Sequence, residues 1–264
     1  MLFLLKKILK KPSILILYFS LCMVYIRPRF KRGSFSIFGK KFTYIDSTSF
    51  VFMYLDIFLR ELYKFKSSSQ SPLIIDCGSN IGLSVIYFKY LYPKAIIKAF
   101  EPDPKVFSVL YENCKKFNLD NTEIINKGVW TSDSTMMFLP DGSDGGKMLD
   151  SQNDPRLIKV EMIRLKNLLE LENKIDFLKI DIEGAEHDVL LDCREHLLKV
   201  EFLFVEYHSV EKKDQKLGDV LNILKGAGFR CYVNNVGRAP INYFLKKHSQ
   251  NGFDLQLNIY AVKE

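Results

Sequence analysis

The chain reads as an α/β fold, a doubly wound and mostly parallel sheet preceded by a hairpin-and-helix extension. Three observations predict it. Short apolar runs alternate with segments of helical period from about residue 73 onward. The run Leu73–Gly82 (LIIDCGSNIG) ends in an acid and a turn bearing Gly78, Asn80 and Gly82. Polar and charged residues then collect where apolar runs end (Asp76, Glu101, Asp181, Glu206, His208), the edge at which open α/β sheets bind ligands.

In chain order, the first 32 residues form a basic, apolar segment. Residues 1–41 hold ten lysines and arginines and no acid, so the remaining residues carry a net charge near −3 and the overall +7 belongs to the N-terminus. Ile14–Ile26 is too short for the roughly 20 residues that cross a bilayer, and Arg27-Pro28-Arg29 follows it where a secretory signal would place small residues. Leu2–Leu9 interleaves apolar residues with lysines, as an interfacial helix does. Peripheral contact with an anionic membrane face is favoured over a helix packed on the domain or an oligomer partner, and over a span or signal. Residues 33–70 form the extension. Ser34–Tyr44 alternates around Gly39-Lys40 as a hairpin, and Phe50–Phe65 spaces Phe52, Leu55, Phe58, Leu59 and Leu62 as a core-facing helix whose aromatics could instead line a pocket. Ser67–Pro72 reads as a linker opening a ligand-binding domain over residues 71–264.

Within that domain, strands are expected at Leu73–Cys77, Ala95–Phe100, Glu123–Trp130, Ser134–Leu139, Lys159–Leu165, Ile175–Ile182, Phe202–Tyr207, Arg230–Val233 and Leu255–Val262. Helices are expected at Leu83–Leu91, at Val106–Phe117 with Phe107, Leu110, Tyr111 and Cys114 on one face, from Glu183 through Leu198, and at Val220–Leu224 ending near Gly226 or Gly228. Asp141–Gly146 (DGSDGG) reads as a tight turn, with a mobile lid as the functional alternative and acids too poorly spaced for a calcium loop.

The five cysteines are scattered, odd in number and without a CxxC pair, which fits a reducing, cytoplasmic setting and excludes a zinc ribbon. Cys77 reads as a small buried residue rather than a nucleophile. The catalytic part shows no basic stripe or RNA-reading motif, so no nucleic-acid partner is expected.

The turn spells D-x-G-x-N-x-G, not the G-x-G-x-x-G of dinucleotide folds. Asp76 would repel a pyrophosphate but suits a cationic, hydroxyl-rich ligand. Glu101 stands about twenty residues on, where such folds place the acid that holds ribose hydroxyls. Sign of charge therefore favours S-adenosylmethionine, with its sulfonium and ammonium, over NAD. A nicotinamide oxidoreductase is the rival enzyme class, and a tethered module with a decayed cofactor site is the non-catalytic alternative.

Along IDFLKIDIEG, alternation sends Lys179 and Asp181 to one face and Ile180 and Ile182 to the other. A charged pair in so apolar a strand is costly unless paired or used. Both a structural ion pair and an active-site role meet that condition.

The combination DCGSNIG, FEPDP and IDFLKIDIEGAE resembles the FkbM family of S-adenosylmethionine-dependent methyltransferases, over roughly residues 73–210. The resemblance implies a Rossmann-like class I sheet with a final antiparallel strand, supplied by Leu255–Val262, and O-methylation of a small-molecule or glycan acceptor, often at a sugar or polyketide hydroxyl. It places Asp76, Gly78, Asn80 and Gly82 around the cofactor's methionine part and Glu101 on its ribose. Many class I enzymes have an acid after the third strand for the adenine amine; here Asn126-Lys127-Gly128 stands there, leaving Asn126 or backbone. Asp181 is the first candidate base and His208 the second, because an imidazole titrates near neutrality. Lys179 would orient Asp181 or lower the acceptor's pKa, and Glu183 would hold the acceptor. No metal motif of fixed spacing appears and none is assigned, although Asp181, Glu183 and Glu206 are the oxygen ligands a divalent ion would find. His187 is expected on the helix after Gly184 with no catalytic part.

Overall fold

A strand covered on both faces can be apolar almost throughout, and strands of that kind build the centre of this molecule. The computed structural model describes residues 13–140, 146–148, 154–236, 244–245, 249 and 252–263. The expectations for Leu2–Leu9 and for the Asp141–Gly146 turn fall wholly or mainly outside these residues.

The parallel strands β3 (Leu73–Cys77), β4 (Ile96–Phe100), β5 (Thr122–Ile125), β10 (Ile175–Ile180) and β11 (Val200–Val210) pair with β12 (Phe229–Asn235) and β13 (Phe253–Lys263) in one seven-stranded sheet. Its order is β12-β13-β11-β10-β3-β4-β5, with β13 antiparallel to both neighbours. The doubly wound sheet with an antiparallel last strand is therefore present. Strand order reverses between β3 and β10, so a crevice opens beyond their carboxyl ends.

Before the sheet stand helix α1 (Ser13–Tyr25), hairpin β1 (Gly33–Ile37) and β2 (Lys40–Tyr44), and helix α2 (Ser47–Tyr54). The hairpin turns on Phe38 and Gly39, one residue earlier than expected, both with positive φ (50° and 76°) as a two-residue hairpin turn requires. Helix α2 starts at Ser47 because Asp46 caps it, accepting from Ser49 N at 3.0 Å. It then widens into a π-helical segment, Leu55–Leu59, and does not continue to Phe65. The inward residues are Phe50, Val51, Tyr54 and Ile57, whereas Phe52 is half exposed. These residues share one apolar cluster with helix α3 (Leu83–Leu91) and with the sheet face bearing Ile74, Phe177 and Phe204. Ser67–Pro72 is bonded down rather than loose: Ser67 Oγ donates to Asp176 at 2.7 Å and Ser67 N to Tyr92 Oη at 2.8 Å.

Helix α4 (Pro104–Phe117) is capped by Asp103 and started by Pro104. Its buried face is Val106, Val109, Leu110, Asn113, Cys114 and Phe117, leaving Phe107 partly buried and Tyr111 outward. The expected strand Glu123–Trp130 is two strands: β5 ends at Ile125, and β6 (Gly128–Trp130) joins a second sheet with β7 (Ser134–Leu139), β8 (Lys147–Met148) and β9 (Ile158–Arg164). The break falls at Asn126, whose amide donates to Glu101 O and Pro102 O. A short helix α5 (Leu165–Glu170), absent from the sequence reading, follows β9 directly. Helix α6 (Glu186–Asp192) passes into a 3₁₀ segment, Arg194–Lys199, and helix α7 (Leu217–Gly226) precedes β12. The described cysteines are all unpaired thiols.

Candidate active site

Gly78 begins the site. Its φ is +90°, and a Cβ there would stand 2.0 Å from Asp181 O, so only glycine lets the β3 turn close on the end of β10. Phe100 O accepts from Gly78 N and Ser79 N at 3.0 and 2.8 Å, tying the turn to β4 as well.

On one side of this turn lies Glu101, 7% exposed, which accepts from Asn80 N at 3.0 Å and Asp103 N at 2.9 Å. Burial pushes its carboxyl up to about 8, against those two donors. Gly78, Asn80, Glu101, Lys127, Gly128 and Val129 line this part of a cavity of about 900 Å³. Gly82, the left-handed N-cap of α3, does not line the cavity and packs on Leu110. Nor does Asn126, whose side chain is spent on the Glu101 and Pro102 carbonyls.

On the other side lie the acids. Lys179 is buried (2% side-chain exposure), 3.3 Å from Asp76 Oδ1 and 3.2 Å from Asp181 Oδ2, and donates to Gly78 O at 2.8 Å. Burial opposes its charge, but Asp181 and Asp76 outweigh it and hold the pKa well above 10.5. Asp76 is sealed beneath the turn with Ser84 Oγ bonded to it at 2.6 Å and does not line the cavity; Asp181 does, at 23% side-chain exposure. Lys179 thus ties a buried carboxylate to an open one. Tyr63 completes the lid over it, the ammonium 5.8 Å from its ring centre.

Glu183 and Glu206 also line the cavity. Glu183 holds φ 56°, a strained conformation for a side chain with a Cβ. Burial raises its pKa well above the usual carboxylate range, with neighbouring acids adding to the effect. Glu206 is raised likewise, by burial and then by Asp181. His208 stands behind them, 3% exposed and outside the cavity wall, its Nδ1 3.0 Å from Glu186 Oε1. Burial disfavours the imidazolium, but Glu186, Glu206 and Glu183 more than compensate and raise its pKa well above 6.5. With Nδ1 engaged by Glu186, Nε2 is the ring atom turned toward Glu183 and Glu206. His187 lies on α6 beside Asp188.

Two residues that carry this arrangement escape the sequence reading. Glu186 accepts from Gly184 N, Ile182 N and His208; its place in EGAE is the available signal. Tyr63 has no signal, because its partners Lys179 and Phe204 are more than a hundred residues away.

A glycine turn with a ribose-type acid at one end of a crevice and a charged β10 terminus at the other defines a class I methyltransferase. Residues 76–231 match the family described as Methyltransferase FkbM domain, and the chain belongs to that family. It is 29% identical over 216 residues to Methyltransferase 1 of Beauveria bassiana, covering 72% of this chain and 84% of that one. It is 27% identical over 165 residues to 2-O-methyltransferase NoeI of Sinorhizobium fredii (55% and 67% covered), and 28% over 153 residues to hexuronic acid methyltransferase AglP of Haloferax volcanii (56% and 62%). The fold matches a crystal structure of methyltransferase FkbM from Methylobacillus flagellatus at a TM-score of 0.50 and 16% identity, over 81% of this chain and about half (51%) of that one. The methyl donor is S-adenosylmethionine, and the nicotinamide alternative is set aside.

The donor fits what is here: a left-handed glycine approach and a buried acid for hydroxyls. Hydroxyls donating to Glu101 favour its ionised form, so binding at neutral pH should release a proton. Affinity should rise with pH and level above about 8. The observable is a binding enthalpy that differs between phosphate and Tris, with the difference absent in Glu101→Gln; equal enthalpies in wild type would refute it. Without ligand the sign is opposite: stability from protonated Glu101 is full below 4.5 and lost as pH climbs through about 8.

Proposed function

We propose that the protein is an O-methyltransferase acting on a hydroxyl of a sugar or glycan precursor. The observation that carries this is one cavity with two unlike ends, Gly78–Glu101 for the donor and Asp181, Glu183 and Glu206 for the acceptor. Carboxylates in a row are acceptors for the several hydroxyls of a saccharide. The relatives named for 2-O-methylation and for hexuronic acid methylation support that class.

When bound, S-adenosylmethionine supplies a methyl on a good leaving group. The chain's part is alignment and proton removal. Asp181 takes the hydroxyl proton, being the acid that lines the cavity at the turn against Gly78. Lys179 fixes its carboxylate, and Glu183 holds a neighbouring hydroxyl. The test is a panel of monosaccharides, uronic acids and phenols with S-adenosylmethionine, read as gain of one methyl that survives alkali. Sugars should lead by kcat/KM; phenols leading, or an alkali-labile ester, would overturn the reading.

The work site of this reading is a membrane face. Among the described residues no helix is long and apolar enough to cross a membrane, yet α1 turns Ile16, Phe19 and Met23 outward and Ile26 follows it exposed, at 46–71% exposure. The ten bases of residues 1–41 suit anionic lipid. Tyr25 touches Phe52, which lines the cavity, so this apolar face runs to the cavity mouth. Full-length protein should sediment with phosphatidylserine vesicles and Phe19→Asp should not; equal recovery in the supernatant for both would end this part of the reading.

A further inference from the structure

We propose a divalent transition-metal site at the acid end of the cavity, held by Asp181, Glu206 and His208. Each offers one ligand atom, and those atoms lie within 4.8 Å of one another. Carboxylates in a cleft are common without an ion; the imidazole behind them makes this cluster different.

His208 Nε2 is buried and has no hydrogen-bond partner. It points at the acids, 3.5 Å from Glu206 Oε1 and 3.6 Å from Glu183 Oε2. Those gaps exceed the roughly 2.7–2.9 Å of a charge-assisted hydrogen bond. The Glu206 gap matches what one ion imposes, since donors about 2.1 Å from a tetrahedral cation stand about 3.4 Å apart, and Glu183 borders the site without being one of its ligands. The other face of the ring is already engaged, since Nδ1 meets Glu186 Oε1 at 3.0 Å. Glu186 is itself 1% exposed and held by Gly184 N at 3.0 Å and Ile182 N at 3.2 Å. A carboxylate fixing one imidazole nitrogen so that the other faces a metal is the usual support for a histidine ligand.

Lys179 beside Asp181 does not block the site. A carboxylate has two oxygens, and the Lys179 contact is made through Oδ2. A set of two carboxylates and one imidazole suits manganese, iron or zinc better than calcium or magnesium, which prefer oxygen alone. The ion's role rests on the methyltransferase reading: a carboxylate is a weak base for a sugar hydroxyl, and a dication held there would lower the pKa of a hydroxyl beside it and ease proton transfer to Asp181.

The test is titration of chelator-treated, full-length protein with Mn²⁺, following free Mn²⁺ by electron paramagnetic resonance. The expected result is one saturable site per chain. It should weaken at least tenfold in Glu206→Gln and about 10–100-fold in Glu186→Gln, and be unchanged in Asp133→Asn, a carboxylate outside the cavity. Matching melting curves would show the variants folded. Absence of saturable Mn²⁺ binding, or wild-type binding by Glu206→Gln, would overturn the site. S-adenosylmethionine binding is measured on the same samples, so a missing metal with intact donor binding removes this inference alone, and a missing donor with intact metal binding removes the other.

Discussion

Asp181→Asn is expected to lower kcat by about 10²–10⁴-fold, the usual worth of a positioned proton acceptor, while leaving donor affinity within twofold. The amide keeps the shape of the carboxylate and can still lie against Lys179, but it cannot accept the proton. Measuring kcat and donor affinity separately makes the claim specific, since a merely packing role would move stability or both constants together. Turnover near that of wild type would remove Asp181 as the base.

The second large effect is on stability. Lys179→Met should cost about 3–5 kcal/mol, because it strands the carboxylate of Asp76, which has no exposure, without its cation. In a chain of this size that is a fall of roughly 10 °C in Tm. Adding Asp76→Asn to Lys179→Met should recover part of the loss, since the buried charge disappears with its partner. Thermal melts of the two single variants and the double variant decide it. A Lys179→Met protein that melts with wild type would mean the ion pair does not hold the turn.

The central strands were legible because burial on both faces leaves no alternation to misread: LIIDC, IIKAF and IDFLKI are mainly apolar, broken by Asp76, Lys98, Asp176 and Lys179. The site was legible for the same reason, as charge in such strands stands out. Asp76 and Lys179 are in fact register partners on adjacent strands. Where the reading failed, a tertiary contact overrode a local pattern. Glu123–Trp130 looks continuous because nothing before Gly128 announces a break, and the break is made by the Asn126 amide reaching back to Glu101 and Pro102. The aromatic helix was misplaced because its true cap, Asp46, is followed by three polar residues, and because π-helical widening shifts every later residue around the axis. The support behind His208 was out of reach for the same reason, because only the fold brings Glu186 against its Nδ1. The proposed metal ligands come from the end of β10 and from β11, a spacing that no short motif displays.

The polarity of the cavity, donor at Glu101 and acceptor at Asp181, underlies every role assigned above. Calorimetric titration of S-adenosylmethionine into Glu101→Gln and Asp181→Asn, side by side with wild type, tests it most directly. Donor affinity is expected to weaken about tenfold or more in Glu101→Gln, a loss of roughly 1.4 kcal/mol, and to stay unchanged in Asp181→Asn. The reverse result, with donor binding lost at Asp181 and kept at Glu101, would contradict it.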